Sequence, residues 1–331
     1  MTTRRLNIAV LVVIGLAVLA CPWYLGTVSL RLMTEVLYYA LFAVSLNLIT
    51  GFGGLLSFGH AAYFGVGAYV TALSLLHIKG LGLIPALLMG GLAAAVIGAF
   101  FSIFLIRVSG TYYAMLTLAF NQLLYAVALK WRDVTGGDDG LGGFPKPPLH
   151  IPLIGGIDMT NTANFYWFTA VVIGVMLFLA WHLIRTPLGV SIVLLRENEE
   201  RARFLGHRTA TTRFYLFTIA AFLAGIAGSM FALFQEFVST GSIDIFKAVD
   251  VILMMVIGGV GHFFGPMLGA LFMVFVGDWL SRLTDMWEFY IGAFFIAMVL
   301  YFRGGLISLM LYAWFWLQRL LSGLLGRRAA S

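Results

Sequence analysis

Residues 51–69 read GFGGLLSFGHAAYFGVGAY, with glycine at six of nineteen positions. Long apolar runs flank this stretch, so a residue that disfavours helices is concentrated beside segments that must be helical. Two physical answers compete. Glycine reaches positive φ without a Cβ clash, which suits a turn, and it also lets two helices approach closely. The turn at 51–54 fits the first answer. Gly65-Val66-Gly67-Ala68 fits either: small residues on one helix face favour close packing, and an unwound stretch would line a path.

The surrounding chain fixes the class. Of 331 residues, 61% are hydrophobic and 10% charged, and the mean hydropathy is +0.99, so no water-soluble surface can be built. Backbone polar groups in hydrocarbon must be satisfied within helices. We expect an all-α, polytopic membrane helical bundle in which 1–331 form a single domain. Splitting at polar, Gly/Pro or charged breaks gives apolar spans near 7–25, 33–50, 60–77, 84–106, 112–130, 165–184, 214–236, 249–260, 266–280 and 288–302, about ten transmembrane helices. The opening MTTRRLNIAVLVVIGLAVLACPWYL has the outline of a lipoprotein signal ending at Cys21, but Pro22 directly after the cysteine favours a first transmembrane helix. One cysteine excludes a disulfide framework and a cysteine-based metal site.

A formal charge of +6 raises the question of nucleic acid, which the distribution of charge answers. Arg4 and Arg5 open the chain, Arg327 and Arg328 close it, and six arginines crowd 185–213. That is how cytoplasmic flanks are marked. The segment 131–164 instead carries Asp133, Asp138, Asp139 and Asp158 against Arg132 and Lys146. The expected topology therefore has both termini and 185–213 in the cytoplasm, 131–164 outside, and no nucleic-acid partner. The tail 306–331 reads as an interfacial helix with Tyr312, Trp314 and Trp316 at headgroup depth, an eleventh span being the alternative.

A second glycine-rich break, GGVGHFFGPMLGA at 258–270, lies in the other half. The spans beside it are shorter than the roughly twenty residues a crossing needs, so 249–280 is either one broken helix or two. Glycine-interrupted segments in corresponding positions of two halves point to a transport pathway. Its candidate residues are Gly51, Gly53, Gly54, Ser57 and His60 in the first break and Gly258, Gly259 and Gly261 in the second. His60 and His262 each sit in a break, where a polar cap on a helix start is favoured over a ligand role.

The chain lacks chemistry of its own. A P-loop needs Gly-Lys-Ser/Thr, and none of Lys79, Lys130, Lys146 and Lys247 follows a glycine. Neither H-E-x-x-H nor G-x-S-x-G occurs. No catalytic residue, metal or cofactor is expected. Glu35, Glu236, Asp250, Asp278 and Glu288 fall near span ends, which disfavours an ion-coupled secondary carrier, the alternative to an ATP-driven one.

The loop RTPLGVSIVLLRENEERARFLGHRTATTR at 185–213 contains a short charged helix over Arg196–Phe204 that Gly206 ends or bends. Its Glu200-Arg201-Ala202-x-x-x-Gly206 resembles the E-A-A-x-x-x-G loop of ABC importer permeases, which docks onto the ATPase, with Arg201 where the family has alanine. Together with GFGGLLSFGHAAYFGVGAY, RVSGTYYAMLTLAF at 107–120, TGGDDGLGGFPKP at 135–147, RENEERARFLG at 196–206 and GGVGHFFGPMLGA, the chain resembles the LivM-type permeases of branched-chain amino acid ABC importers across most of its length. The resemblance implies alternating access in a bacterial inner membrane and coupling through Glu200, Arg201, Ala202 and Gly206. It also implies a second related permease subunit, two cytoplasmic ATPases that bind the ATP, and an external solute-binding protein, for which 131–164 is a candidate platform.

Overall fold

In the computed structural model, residues 20–151, 155–302, 304–310 and 312 are described. The expected first span over 7–25 lies mostly outside the described residues, as do Trp314, Trp316 and most of the tail. Nine of the expected spans each contain a helix. They are α1 (Thr27–Asn47), α2 (His60–His77), α3 (Leu83–Leu105), α4 (Gly110–Lys130), α6 (Thr162–Ile184), α9 (Thr209–Gln235), α10 (Ile245–Gly258), α11 (Gly265–Ser281) and α12 (Trp287–Tyr301). Between them stand the short helices α5 (Arg132–Thr135), α7 (Pro187–Glu197) and α8 (Glu199–Phe204). Among the described residues five helices, α1 with its extension to Phe52, α3, α4, α6 and α9, are long and apolar enough to cross a membrane.

Helix starts follow local chemistry. Asn161 accepts from the Ala163 N–H ahead of α6, Thr186 with Pro187 behind it opens α7, and Asn198 accepts from the Arg201 N–H at α8. Asn198 also corrects the expected helix over Arg196–Phe204. Its extended backbone (φ −162°) divides the stretch, leaving Arg196 and Glu197 on α7 and Glu199–Phe204 on α8.

The core is built on α9, which packs against α1, α2 and α3. The α2–α9 contact is backbone on backbone, since a Cβ at Gly67 would fall on Gly225 and one at Gly228 on the Phe64 carbonyl; on α3, a Cβ at Gly90 would fall on the Ser229 and Thr71 hydroxyls, and one at Gly225 would crowd the Gly90 carbonyl. Thr71 donates to Ser229 at 2.8 Å, and Ser229 donates to the Gly225 carbonyl at 2.8 Å. A Cβ at Gly65 would strike the Ile243 side chain. The glycines of α2 are therefore there for close approach. By contrast α4 and α6 leave large apolar residues such as Tyr112, Leu123, Val171 and Phe178 exposed, as a lipid- or subunit-facing surface would.

Antiparallel α10 and α11 form a hairpin, with Gly258 against the Gly265 carbonyl and Gly269 against that of Met254. The segment 249–280 is thus two helices, not one broken helix. At the end of the bundle away from the arginine-rich loop, β1 (Leu141–Gly142) pairs with β4 (Phe237–Val238), and β2 (Leu149–Ile151) pairs with β3 (Gly155–Ile157). Lys146 adds an ion pair to Glu236 at 2.9 Å, fastening the 131–164 loop to the end of α9.

Candidate functional site where the two breaks meet

The apolar run of α1 ends in one π turn, Leu48–Phe52, with the Gly53 N–H reaching the Leu48 carbonyl at 3.0 Å. π turns of this kind recur at functional sites. The chain then travels without helix to His60. Just before the turn, fully buried Asn47 uses both faces of its amide on the second break: Nδ2 donates to the His262 carbonyl at 3.0 Å, and Oδ1 accepts from the Gly261 N–H at 3.0 Å. A Cβ at Gly51 would collide with Asn47 and the Gly261 nitrogen, so glycine is required there by proximity. Two segments more than two hundred residues apart in sequence are joined at one point.

Arg196, at the end of α7, completes the junction. Its guanidinium donates to the Gly51 carbonyl at 2.6 Å, its stem covers Gly54, and its head lies beside Gly261. Charge-assisted bonds of this kind are stronger than neutral ones. Positive φ occurs at Gly54 (70°), Gly259 (120°) and Gly261 (82°), as expected of the turns. Gly53 departs from that expectation, with φ −84°; its missing side chain leaves room for the Ile49 carbonyl and Leu216. Gly259 faces the Gly304 carbonyl and Ile307.

Ser57 is buried, with its side chain bonded to Tyr113 of α4. His60 does not cap its helix; Nε2 lies 2.7 Å from Ser45 Oγ and the ring stacks on Phe42, tying α2 to α1, while Nδ1 has no partner. Among the described residues no group of three or more His, Cys, Asp or Glu side chains could hold a metal ion.

The arginine-rich loop is a built structure. Glu199 pairs with Arg213 of α9 at 2.7 Å and with Arg203 at 3.3 Å, Arg213 also donates to the Ile106 carbonyl at 3.3 Å, and Ala202 is buried. Gly206, at φ 86°, closes α8: its N–H reaches Arg203 and the His207 N–H reaches Ala202, a paired C-terminal motif that needs a left-handed residue. The outer face carries Glu200 and Arg201, followed by Phe204 and Leu205, which are 90% and 64% exposed.

Sequence reasoning missed Asn47, the reach of Arg196, and the apolar pair Phe204-Leu205. An asparagine inside an apolar run was the available signal for the first.

The model for the branched-chain amino acid transport system permease component matches residues 28–319. LivM, the high-affinity branched-chain amino acid transport system permease protein of Escherichia coli K12, is 30% identical over 90% of this chain and 75% of its own length. LivM of Salmonella typhimurium LT2 is 29% identical over 92% of this chain and 75% of its own. LsrC of Photorhabdus laumondii, an autoinducer 2 import system permease protein, is 31% identical over 44% of this chain and 45% of its own. No solved structure matches the chain significantly. This chain belongs to the permease component family of branched-chain amino acid transport systems.

Proposed function

We propose that this chain is the membrane-spanning permease subunit of an ATP-driven importer for branched-chain or other apolar amino acids, working by alternating access. The observation that carries the reading is the junction: Arg196, from the arginine-rich loop, holds the Gly51 carbonyl while Asn47 holds the second break. A displacement of that loop would be felt at once by both interruptions. The two breaks, with Gly51, Gly53, Gly54, Ser57, His60, Gly258, Gly259 and Gly261, form the cytoplasmic gate of the path.

In this reading the chain crosses a bacterial inner membrane about ten times, with both termini and 185–213 in the cytoplasm and 306–331 lying in the interface. The ATPase receives Phe204 and Leu205 as apolar anchors, with Glu200 and Arg201 around them, Ala202 packing the helix from behind and Gly206 turning it off. Two such ATPases, a related second permease and an external binding protein docking on 131–164 complete the assembly. ATP is bound by the partners.

Purifying the chain from its host under mild conditions tests this. An ATPase should accompany it, and uptake of branched-chain amino acids should require ATP hydrolysis. Uptake by the isolated chain driven by a proton or sodium gradient alone would overturn the reading in favour of a secondary carrier.

A further inference from the structure

The sequence places Glu35 and Asp250 near span ends, and the structure places them elsewhere. Between β4 and α10 the chain dips into the bundle rather than crossing its surface: Asn121 of α4 donates to the Ile243 carbonyl at 2.8 Å, and Ile243 packs against Gly65. Non-helical backbone at that depth is tolerated only where protein buries it or a polar cavity lies beside it. Helix α10 therefore starts inside, and its third residue, Lys247, reaches α1 at Tyr39, about 18 Å along from Thr27 at the α-helical rise.

Lys247 donates to the Tyr39 hydroxyl at 2.6 Å and lies over the Tyr39 and Phe231 rings, with Asp250 at 4.0 Å. Glu35, one helical turn above Tyr39, is within electrostatic reach of the same ammonium, yet is absent from the ion pairs among the described residues. The fully buried Tyr38 hydroxyl stands beside the Glu35 carboxylate, and Asn121 Oδ1 at the dipping segment is buried without a hydrogen-bond partner. Asp278 is already paired with Arg282 at 2.8 Å, and Glu288 stands beyond Asp250. The outward face of α10 is mixed: Phe246 and Val249 are exposed and Asp250 is half-exposed.

We propose that this cluster is a transit site for a zwitterionic α-amino acid, with Lys247 receiving the carboxylate, Glu35 and Asp250 receiving the ammonium, and Phe246 and Val249 flanking an aliphatic side chain. A cation inside a membrane span is expensive unless it serves a purpose. A hydroxyl bond to Tyr39 and ring faces hold the ammonium in place, and Asp250 pairs with it only at 4.0 Å. Glu35, with no cation at ion-pair distance among the described residues, supplies the opposite charge a zwitterion needs. The proposal rests on the amino-acid importer reading and adds the place where the solute's charges are met.

The test uses the complete complex, reconstituted in proteoliposomes with its ATPases, second permease and binding protein, and radiolabelled L-leucine as the probe. Lys247→Met should lower the leucine imported per ATP hydrolysed by about thirtyfold or more, as truncation of a buried charged contact does. Lys247→Arg should restore most of that ratio, and the near-isosteric Glu35→Gln and Asp250→Asn should lower it by about threefold or more. An unchanged ratio in an assembled Lys247→Met complex overturns the site. So does an unchanged ratio in both carboxamide variants, which decide the matter should Lys247→Met fail to assemble. A wild-type complex that hydrolyses ATP and moves no leucine, isoleucine or valine takes down the amino-acid reading itself, and wild-type uptake with indifferent variants takes down the site alone.

Discussion

After the π turn at 48–52 the first break runs without helix to His60, with its carbonyl at Gly51 held by Arg196 from a distant loop. The second break turns within a few residues, and the helices on its two sides pack directly on each other through Gly258, Gly265 and Gly269. Similar glycine-rich sequence thus serves two mechanical purposes. In the second break glycine locks a hairpin by allowing backbone contact. In the first it makes room for neighbours from other segments, Gly51 for Asn47 and Gly261, and Gly59 for the Thr117 carbonyl, while the chain between them has no helix of its own and is tied to distant loops by Asn47 and Arg196.

The largest effect should come from Gly258→Val. Its side chain has no space except that of the Gly265 carbonyl, and overpacking of this kind costs about 1–3 kcal/mol or more. The hairpin should lose its seat, seen as a fall in assembled complex by size exclusion and in its melting temperature. Normal assembly would show that the hairpin is not the rigid partner.

Arg196→Ala should act differently. Removing a charged donor from the Gly51 carbonyl forfeits about 1.5–3 kcal/mol of local bonding, while the packing of α7 through Ile192 and Leu195 is untouched. We expect an assembled complex that hydrolyses ATP and imports several-fold less solute for it. Equal losses in both activities would mean that the first break is scaffold as well.

Gly206→Leu comes next: a left-handed conformation costs an L-residue about 1–2 kcal/mol, so α8 should end badly and bind the ATPase more weakly in a pull-down. Glu200→Ala should change binding by less than about twofold, because Glu200 is exposed and makes no ion pair among the described residues. A larger loss for Glu200→Ala than for Gly206→Leu would reverse the assignment of apolar anchors on α8.

Most of the helical segments could be read from the sequence, because apolar runs bounded by Gly, Pro and charge leave few alternatives. What could not be read is depth. Glu35 and Asp250 are near the ends of apolar runs, yet the dip at 239–244 lowers α10 into the bundle and brings Lys247 to Tyr39. A polar Ser-Thr-Gly-Ser run before an unusually short span was the only trace. The function of His60 was equally hidden, since a first-turn histidine reads as a cap and its partner, Ser45, is set by tertiary packing. Glycines were legible as glycines but not by role: Gly67 packs on Gly225, and Gly51 makes room for Asn47.

The backbone contacts among α2, α3 and α9 have a kinematic consequence. Slipping α9 along α2 by one turn, about 5.4 Å of travel, would bring Ala221 or Ser229, which share its face, to the place that Gly225 now occupies against Gly67. The three helices are geared together like meshed teeth, with glycine as the gap between teeth. In the proposed importer they would be the stator of the subunit, and a stroke delivered by the loop at 185–213 would be taken up outside them, by α1 beyond Asn47 and by the hairpin it grips.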